Sequence, residues 1–418
     1  MVFRDLLADT LRTLWAHKLR TFLTMFGIAW GIISITLMVA AGEGLRVGQA
    51  KVAENFGKDI MIVFSGRTSL QAGGQRAGRL VRWEDTDYIA VGQQSPACRN
   101  VIPELGNEVK VRSAYNNATL LVTGSLPVFS DLRSLGVGEG RFYNEADQVL
   151  GRRVAFLGTE VSKQLFAGRR AVGETIALGG NPYTVIGVMK TKDQDSSYDG
   201  FDVSKVFIPF GAMIRDFPNR PPAAPHSIDQ LLVAPKSLEL HEECKWQVRR
   251  ALATLHNFDP RDKEVAHIWD TIEEARAFQT MTNGMKYFLG AVGVTTLFLG
   301  GIGVMNVMLV AVRERTGEIG VRKAVGATRR EILSQFFIES LIVVFLSGGV
   351  GLGIAYGICA LVNLVPMPPF FAGLLPNWQS GLLSFALLGT VAVLSALYPA
   401  RRAAAIDPIE ALRYEAGG

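Results

Sequence analysis

Residues 287–312 form an apolar run of 26 residues without one charge. At about 1.5 Å per residue, a helix of that length exceeds the roughly 30 Å hydrocarbon core of a bilayer. Such a run restricts the fold more than any other stretch, because in lipid every backbone amide must be paired within the helix itself. It is followed by VRERTGEIGVRKAVGATRRE at 312–331, charged and punctuated by glycine, and then by 332–365, uncharged apart from Glu339. Two further uncharged runs, 21–41 and 381–397, are of spanning length. The chain is therefore expected to cross a membrane four times.

Charge fixes the expected orientation, since short loops rich in Lys and Arg stay in the cytoplasm. Arg4, Arg12, Lys18 and Arg20 precede the first run, six basic residues lie in 313–331, and Arg401, Arg402 and Arg413 follow the last. The 363–378 stretch has none. The expected order is a cytoplasmic segment 1–20, a span at 21–41, an extracytoplasmic domain 42–283, a span at 284–312, a cytoplasmic loop 313–331, a span at 332–365, an external loop 366–378, a span at 379–399 and a cytoplasmic tail 400–418. The first run is read as retained. Its 20-residue basic lead and 21-residue apolar core are long for a cleaved signal, although Val39-Ala-Ala41 resembles a cleavage site.

The net charge of +5 invites a nucleic-acid reading, but residues 42–283 carry 29 basic and 29 acidic side chains. The excess arises in the membrane-flanking segments, and nucleic-acid binding has no support.

The fold class is α+β: four transmembrane helices with a large mixed α/β extracytoplasmic domain between the first and second. Short β-branched or aromatic runs predict strands at 59–65, 109–112, 119–123, 153–157, 183–189, 206–209 and 228–234. Helices are expected at 83–93, 159–166, 238–256 and 271–284. The glycine-rich stretch 66–78 reads as a mobile loop and 217–225, FPNRPPAAP, as an extended hinge. Two subdomains follow: a membrane-proximal part pairing 45–103 with 227–275, and an inserted lobe, 104–226.

In the 313–331 loop, Glu318 and Arg322 stand four apart, and Val321, Ala324 and Val325 share one helical face, so 317–325 suits a short amphipathic helix. Gly326 ends it, and Thr328 with Glu331 has capping-box spacing for the next helix. Asp407-Pro408-Ile409-Glu410 offers a similar helix start in the tail. A solvated surface with tidy helix ends would account for both stretches equally well.

Other features carry less. The five histidines, His17, His226, His241, His256 and His267, show no paired metal-ligand spacing. Cys98 and Cys244 lie outside, where a disulfide is permitted without being required, and Cys359 lies in the third span. Glu339 is the one charged residue within the four apolar runs and could face another helix, a water-filled gap or snorkel. Gly27 and Gly31, and Gly349, Gly353 and Gly357, form GxxxG ridges suited to close helix approach, within one chain or between two.

The string from Glu314 to Thr328, ERTGEIGVRKAVGAT, with Gln335-Phe-Phe-Ile-Glu339 and the ending from Pro399 to Arg413, strongly resembles FtsX-type permeases of ABC transporters. The outside domain is similar to the periplasmic core of MacB-type members, through Gly140-Arg-Phe-Tyr143, Arg153-Val-Ala-Phe-Leu-Gly-Thr159, Leu165-Phe166, Val172-Gly-Glu-Thr-Ile176 and Tyr183-Thr-Val-Ile-Gly-Val188. The resemblance implies a permease that dimerises, as a homodimer, binds a cytoplasmic ABC ATPase and transmits ATPase motion to the outside domain to expel a substrate captured there. It further implies a periplasmic adaptor and an outer-membrane channel as partners. The loop after the second span would be the coupling element, which makes Glu314, Arg315, Glu318, Arg322 and Lys323 the contact candidates. Resemblance also favours the first and second spans for the dimer, leaving the third-span glycine ridge internal. No GxxxxGK[ST] phosphate loop occurs in the chain, so catalysis, ATP and Mg are expected in a separate ATPase. A lipoprotein-releasing permease, or a mechanotransmitter that activates a cell-wall hydrolase or sensor kinase, is the alternative reading.

Overall fold

A computed structural model describes residues 18–57, 59–192, 194, 197–221 and 223–407. The basic lead with Arg4 and Arg12, and the tail elements Pro408, Glu410 and Arg413, lie outside the described residues. The chain divides into two compact units, Gln49–Phe278 and Met1–Gly48 with Gln279–Gly418.

Unit Gln49–Phe278 is built on twelve strands: β1 Met61–Ser65, β2 Trp83–Glu84, β3 Cys98–Arg112, β4 Asn117–Ser125, β5 Val137–Gly140, β6 Val154–Leu157, β7 Thr175–Leu178, β8 Asn181–Met189, β9 Lys205–Pro209, β10 Ser227–Ile228, β11 Gln230–Pro235 and β12 Ala266–Asp270. Nine of them lie side by side in the order β12-β1-β11-β3-β4-β9-β6-β8-β5, β7 pairs with β3 and β8, and β2 pairs with β10 in a separate small ladder. The helices of the described residues are α1 Lys18–Phe56, α2 Asp87–Gln94, α3 Phe129–Leu132, α4 Glu145–Val149, α5 Thr159–Phe166, α6 Phe210–Asp216, α7 His241–His256, α8 Thr271–Glu314, α9 Thr316–Ala324, α10 Arg329–Val362 and α11 Trp378–Ala405.

Side chains of a strand alternate between the two faces of its sheet, and here both faces are covered. Met61, Val63, Leu231, Val233, Ala155 and Leu157 enter one core, with Leu252 of α7 and Leu165 of α5. Ile62, Leu232, Ala234, Val154, Phe156 and Phe207 enter the other, with Phe129 and Tyr143. Double burial explains why β1, β6, β9 and β11 read as continuous apolar runs rather than alternating ones.

Three expectations change. The division at residue 103 is crossed by β3, which pairs with β11 on one side and β4 on the other, so the two expected subdomains share one sheet. The 15-residue β3 was legible only over its last few residues because Asn100, Pro103, Glu104, Gly106, Asn107 and Glu108 interrupt its apolar pattern. The 66–78 stretch is a hydrogen-bonded hairpin rather than a loose loop. Thr68 N donates to Arg79 O (2.9 Å), and the buried Asp262 carboxylate accepts from Ser69 N (2.6 Å), Ser69 Oγ (2.7 Å) and Leu70 N (2.9 Å). A disulfide joins Cys98 at the start of β3 to Cys244 of α7.

Among the described residues, three helices are long and apolar enough to cross a membrane, over Met25–Val52, Thr271–Glu314 and Arg329–Val362. The expected helix at 271–284 is the beginning of the 44-residue α8 and not a separate element. α11 adds 28 residues. Helices α1 and α8 meet at small residues: a Cβ on Gly31 would sit 3.2 Å from the Leu297 Cα, and one on Gly300 would sit 3.1 Å from the Gly27 carbonyl carbon. Gly27 and Gly31 therefore pack within the chain. Gly349, Gly353 and Gly357 face open space, contrary to the expected internal position. The opposite face of α10 does the internal packing, Gly348 against Leu388 of α11 and Gly351 against Ala29 of α1.

Candidate coupling site

The segment between α8 and α10 is ordered by local chemistry. At Arg315 the backbone leaves helical geometry (φ −100°, ψ 16°) and separates α8 from the nine-residue α9. Gly326 (φ +110°) adopts the left-handed conformation that terminates a helix at little cost. The capping box then opens α10: Glu331 N donates to Thr328 Oγ1 (3.3 Å) and Thr328 N donates to Glu331 Oε2 (2.8 Å).

α9 is clamped on one side. Ile319 is fully buried among Val312, Ile332, Phe336, Ala400 and Ala403. Arg322 donates to Glu318 Oε1 (2.5 Å) and to Gln335 Oε1 (3.1 Å). Gln335 donates to Glu339 Oε1 (3.3 Å), and Arg315 completes the chain by donating to Glu339 Oε2 (3.4 Å). Glu339 thus faces the coupling segment and is buried there. Lys323 Nζ donates to the carbonyls of Ala404 (2.7 Å) and Ile406 (2.6 Å), where the end of α11 leaves acceptors without intrahelical partners. Burial, then the neighbouring Arg329, pushes the Lys323 ammonium below its ordinary pKa.

The other side is open. Val321, Ala324 and Val325 share a face as their spacing predicts, but that face points outward, with Val321 49% and Val325 84% exposed. Arg329 and Arg330 flank it and are also exposed. Of the five sequence candidates, Arg315, Arg322 and Lys323 hold α9 against the bundle. Glu318 pairs along the helix, and Glu314 is exposed. The outward apolar face is the feature that charge-based reasoning underweighted.

A second constellation had no sequence signal, because its members are scattered charges at strand and loop ends. In the α/β unit the buried Asp202 accepts from Arg133 Nη2 (3.1 Å) and Lys192 Nζ (2.8 Å). Lys205 Nζ donates to Asp199 Oδ1 (2.5 Å), and Tyr198 OH donates to Glu104 Oε2 (2.6 Å). Burial, reinforced by Asp199, raises the Glu104 carboxyl to about 8, while Lys205, Tyr198 and Arg133 oppose the rise. Burial lowers Lys192 to about 8. Asp202 stays below its ordinary range because three cations outweigh its desolvation. Among the described residues, His241, Glu242 and Asp270 place donor atoms close enough for a metal ion. Asp270 Oδ2 is already engaged there, 2.9 Å from the Lys245 ammonium and 2.6 Å from His241 Nε2.

Sequence profiles match both parts of the chain, the MacB-like periplasmic core domain over residues 21–251 and the FtsX-like permease C-terminal domain over 290–408. A relative from Bacillus subtilis (strain 168), the uncharacterized ABC transporter permease YknZ, is 31% identical over 97% of this chain and 98% of its own length. This chain belongs to the MacB- and YknZ-like family of ABC transporter permeases. Two further relatives of this permease are longer: the pyoverdine export ATP-binding/permease protein PvdT of Pseudomonas putida (30% identical over 97% of this chain) and the macrolide export ATP-binding/permease protein MacB of Agrobacterium fabrum (33% over 98%). The permease spans 59% and 61% of their lengths. The periplasmic region of MacB from Actinobacillus actinomycetemcomitans aligns with 54% of the permease and 95% of its own chain, at 16% identity and a TM-score of 0.42.

Proposed function

We propose that this permease is the transmembrane subunit of a MacB-type exporter, that a separate ABC ATPase docks on α9, and that ATPase motion is passed through the membrane to the α/β unit. In this reading α11 is the fourth span, both termini and α9 are cytoplasmic, and the α/β unit captures substrate outside. Two permease chains pair, and a periplasmic adaptor and outer-membrane channel complete the export route.

The observation that carries the reading is the outward face of Val321, Ala324 and Val325 on a helix whose other side is fastened by Ile319, Arg315, Arg322 and Lys323. Exposed apolar residues rimmed by arginines mark an interaction surface. A helix held on its opposite side can pass on force rather than swivel.

Co-purification of the cognate ABC ATPase with the full chain from mildly solubilised host membranes tests this. Val321→Asp and Val325→Asp are each expected to abolish recovery of the ATPase without changing membrane insertion. The exchange Glu318→Arg with Arg322→Glu preserves the pair along the helix and is expected to weaken recovery less. Full ATPase recovery with both valines replaced by aspartate would overturn the docking assignment.

A further inference from the structure

The α10–α11 hairpin is fastened at both of its ends. At one end α9 is joined to α10 through Arg315–Glu339 and Arg322–Gln335, and to α11 through Lys323. At the other end the connection between α10 and α11 grips α1. Ala372 N donates to Gly44 O (3.0 Å) and Leu375 N donates to Ala40 O (3.1 Å). The side chain of Asn363, at the C-terminus of α10, holds Leu374 by both backbone groups: its Nδ2 donates to Leu374 O (2.8 Å) and its Oδ1 accepts from Leu374 N (2.8 Å).

This grip depends on glycine in α1. A Cβ on Gly44 would run into the carbonyl oxygen of Gly373, and one on Gly48 into the carbonyl of Phe370. Gly373 itself has φ +91°, which a larger residue rarely adopts. Glycine inside a helix costs roughly 1 kcal/mol relative to alanine. Two of them one turn apart, under a loop whose amides donate to the same helix, place close backbone approach above helix stability at this point.

From this we infer that Gly44, Gly48 and Asn363 are positioning residues for transmission, latching the far end of the α10–α11 hairpin onto α1. Resting on the docking of an ATPase at α9, the inference adds a second route for its motion. Displacement of α9 reaches α1 through the hairpin as well as through α8, the helix joined to α9 at Arg315. α1 is the helix that continues into β1, so the latch delivers motion to the strand at the start of the α/β sheet.

The test uses the full chain in nanodiscs with its cognate ATPase, comparing amide hydrogen exchange without nucleotide and after trapping with ATP and vanadate. In the parent chain, trapping should change exchange at 316–326 and also at 40–48 and 371–376. Asn363→Ala removes two hydrogen bonds and should speed exchange at 371–376 roughly tenfold before trapping. It should retain the response at 316–326 and lose at least half of the response at 40–48. Gly44→Ala, whose extra carbon displaces Gly373, should do the same, and ATPase recovery should be unchanged in both. A full response at 40–48 in both variants would overturn the latch while leaving the docking reading intact. No response at 316–326 in the parent chain would overturn the docking reading and the latch with it.

Discussion

Replacing Glu104 by glutamine should change how the stability of the α/β unit depends on pH. Glu104 lies fully buried on β3, and its carboxyl is raised to about 8 by desolvation and by Asp199. In the unfolded chain a glutamate titrates at about 4.3. The folded value is the higher one, so between these limits the native state holds a proton that the unfolded state has released. Stability therefore falls as pH rises, by up to about 1.4 kcal/mol per pH unit. Below pH ~4 both states are protonated and the contribution is constant, and above pH ~8 both are ionised and it is constant again. Between pH 4.5 and 7 the accumulated loss is about 3 kcal/mol. Glu104→Gln keeps an acceptor for Tyr198 OH and removes the titration. Asp202, held below its ordinary range, loses stability in the opposite sense, as pH falls, but it is present in both proteins and cancels in the difference. Urea unfolding of the fragment Gln49–Phe278, followed by the fluorescence of Trp83, Trp246 and Trp269 at pH 4.5, 6, 7 and 8.5, measures that difference. The glutamine variant should gain about 3 kcal/mol relative to the parent between pH 4.5 and 7. A difference that stays flat across this range would mean that Glu104 is ionised in the native unit, and the account of its burial would be wrong.

Other consequences are as direct. The Cys98–Cys244 bridge closes a sequence separation of 146 residues, for which loop entropy gives about 5 kcal/mol. Replacing both cysteines by serine should lower the unfolding free energy of the same fragment by about 3–5 kcal/mol, and a loss under about 1 kcal/mol would show that the bridge contributes little to native stability. Thr328→Ala removes one half of the capping box that opens α10 and should cost about 1 kcal/mol locally, seen as faster amide exchange at 329–332 with the rest of α10 unchanged. Gly31→Leu places a side chain against the Leu297 backbone, 3.2 Å from a Cβ at that position. It should lower the thermal stability of the detergent-solubilised chain by several degrees, whereas Gly353→Leu, on an open face, should leave it unchanged; equal effects would refute the assignment of the two ridges.

The parts of the fold that were legible in the sequence are those decided by local pattern. Apolar runs marked α1, α8 and α10, the Thr328–Glu331 spacing marked the start of α10, and apolar strands buried on both faces marked β1, β6, β9 and β11. What escaped depends on pairing over distance. β3 looks broken because its polar residues are satisfied by partners far away: Glu104 by Tyr198, Asn107 by the carbonyl of Phe217, and the Gly106 amide by Asp229. The 66–80 hairpin looked loose because the carboxylate that pins it, Asp262, lies nearly 200 residues later. The same principle sorts the coupling segment. Its charges stood out in the sequence, yet a charge beside a membrane helix with a partner within reach is drawn inward, and Arg315, Arg322 and Lys323 each found an acceptor in the bundle. With Arg315, Arg322 and Lys323 committed to the bundle, the apolar Val321 and Val325 stand exposed on the face proposed to meet a partner. On that surface a single introduced carboxylate should cost more than the reversal of any ion pair.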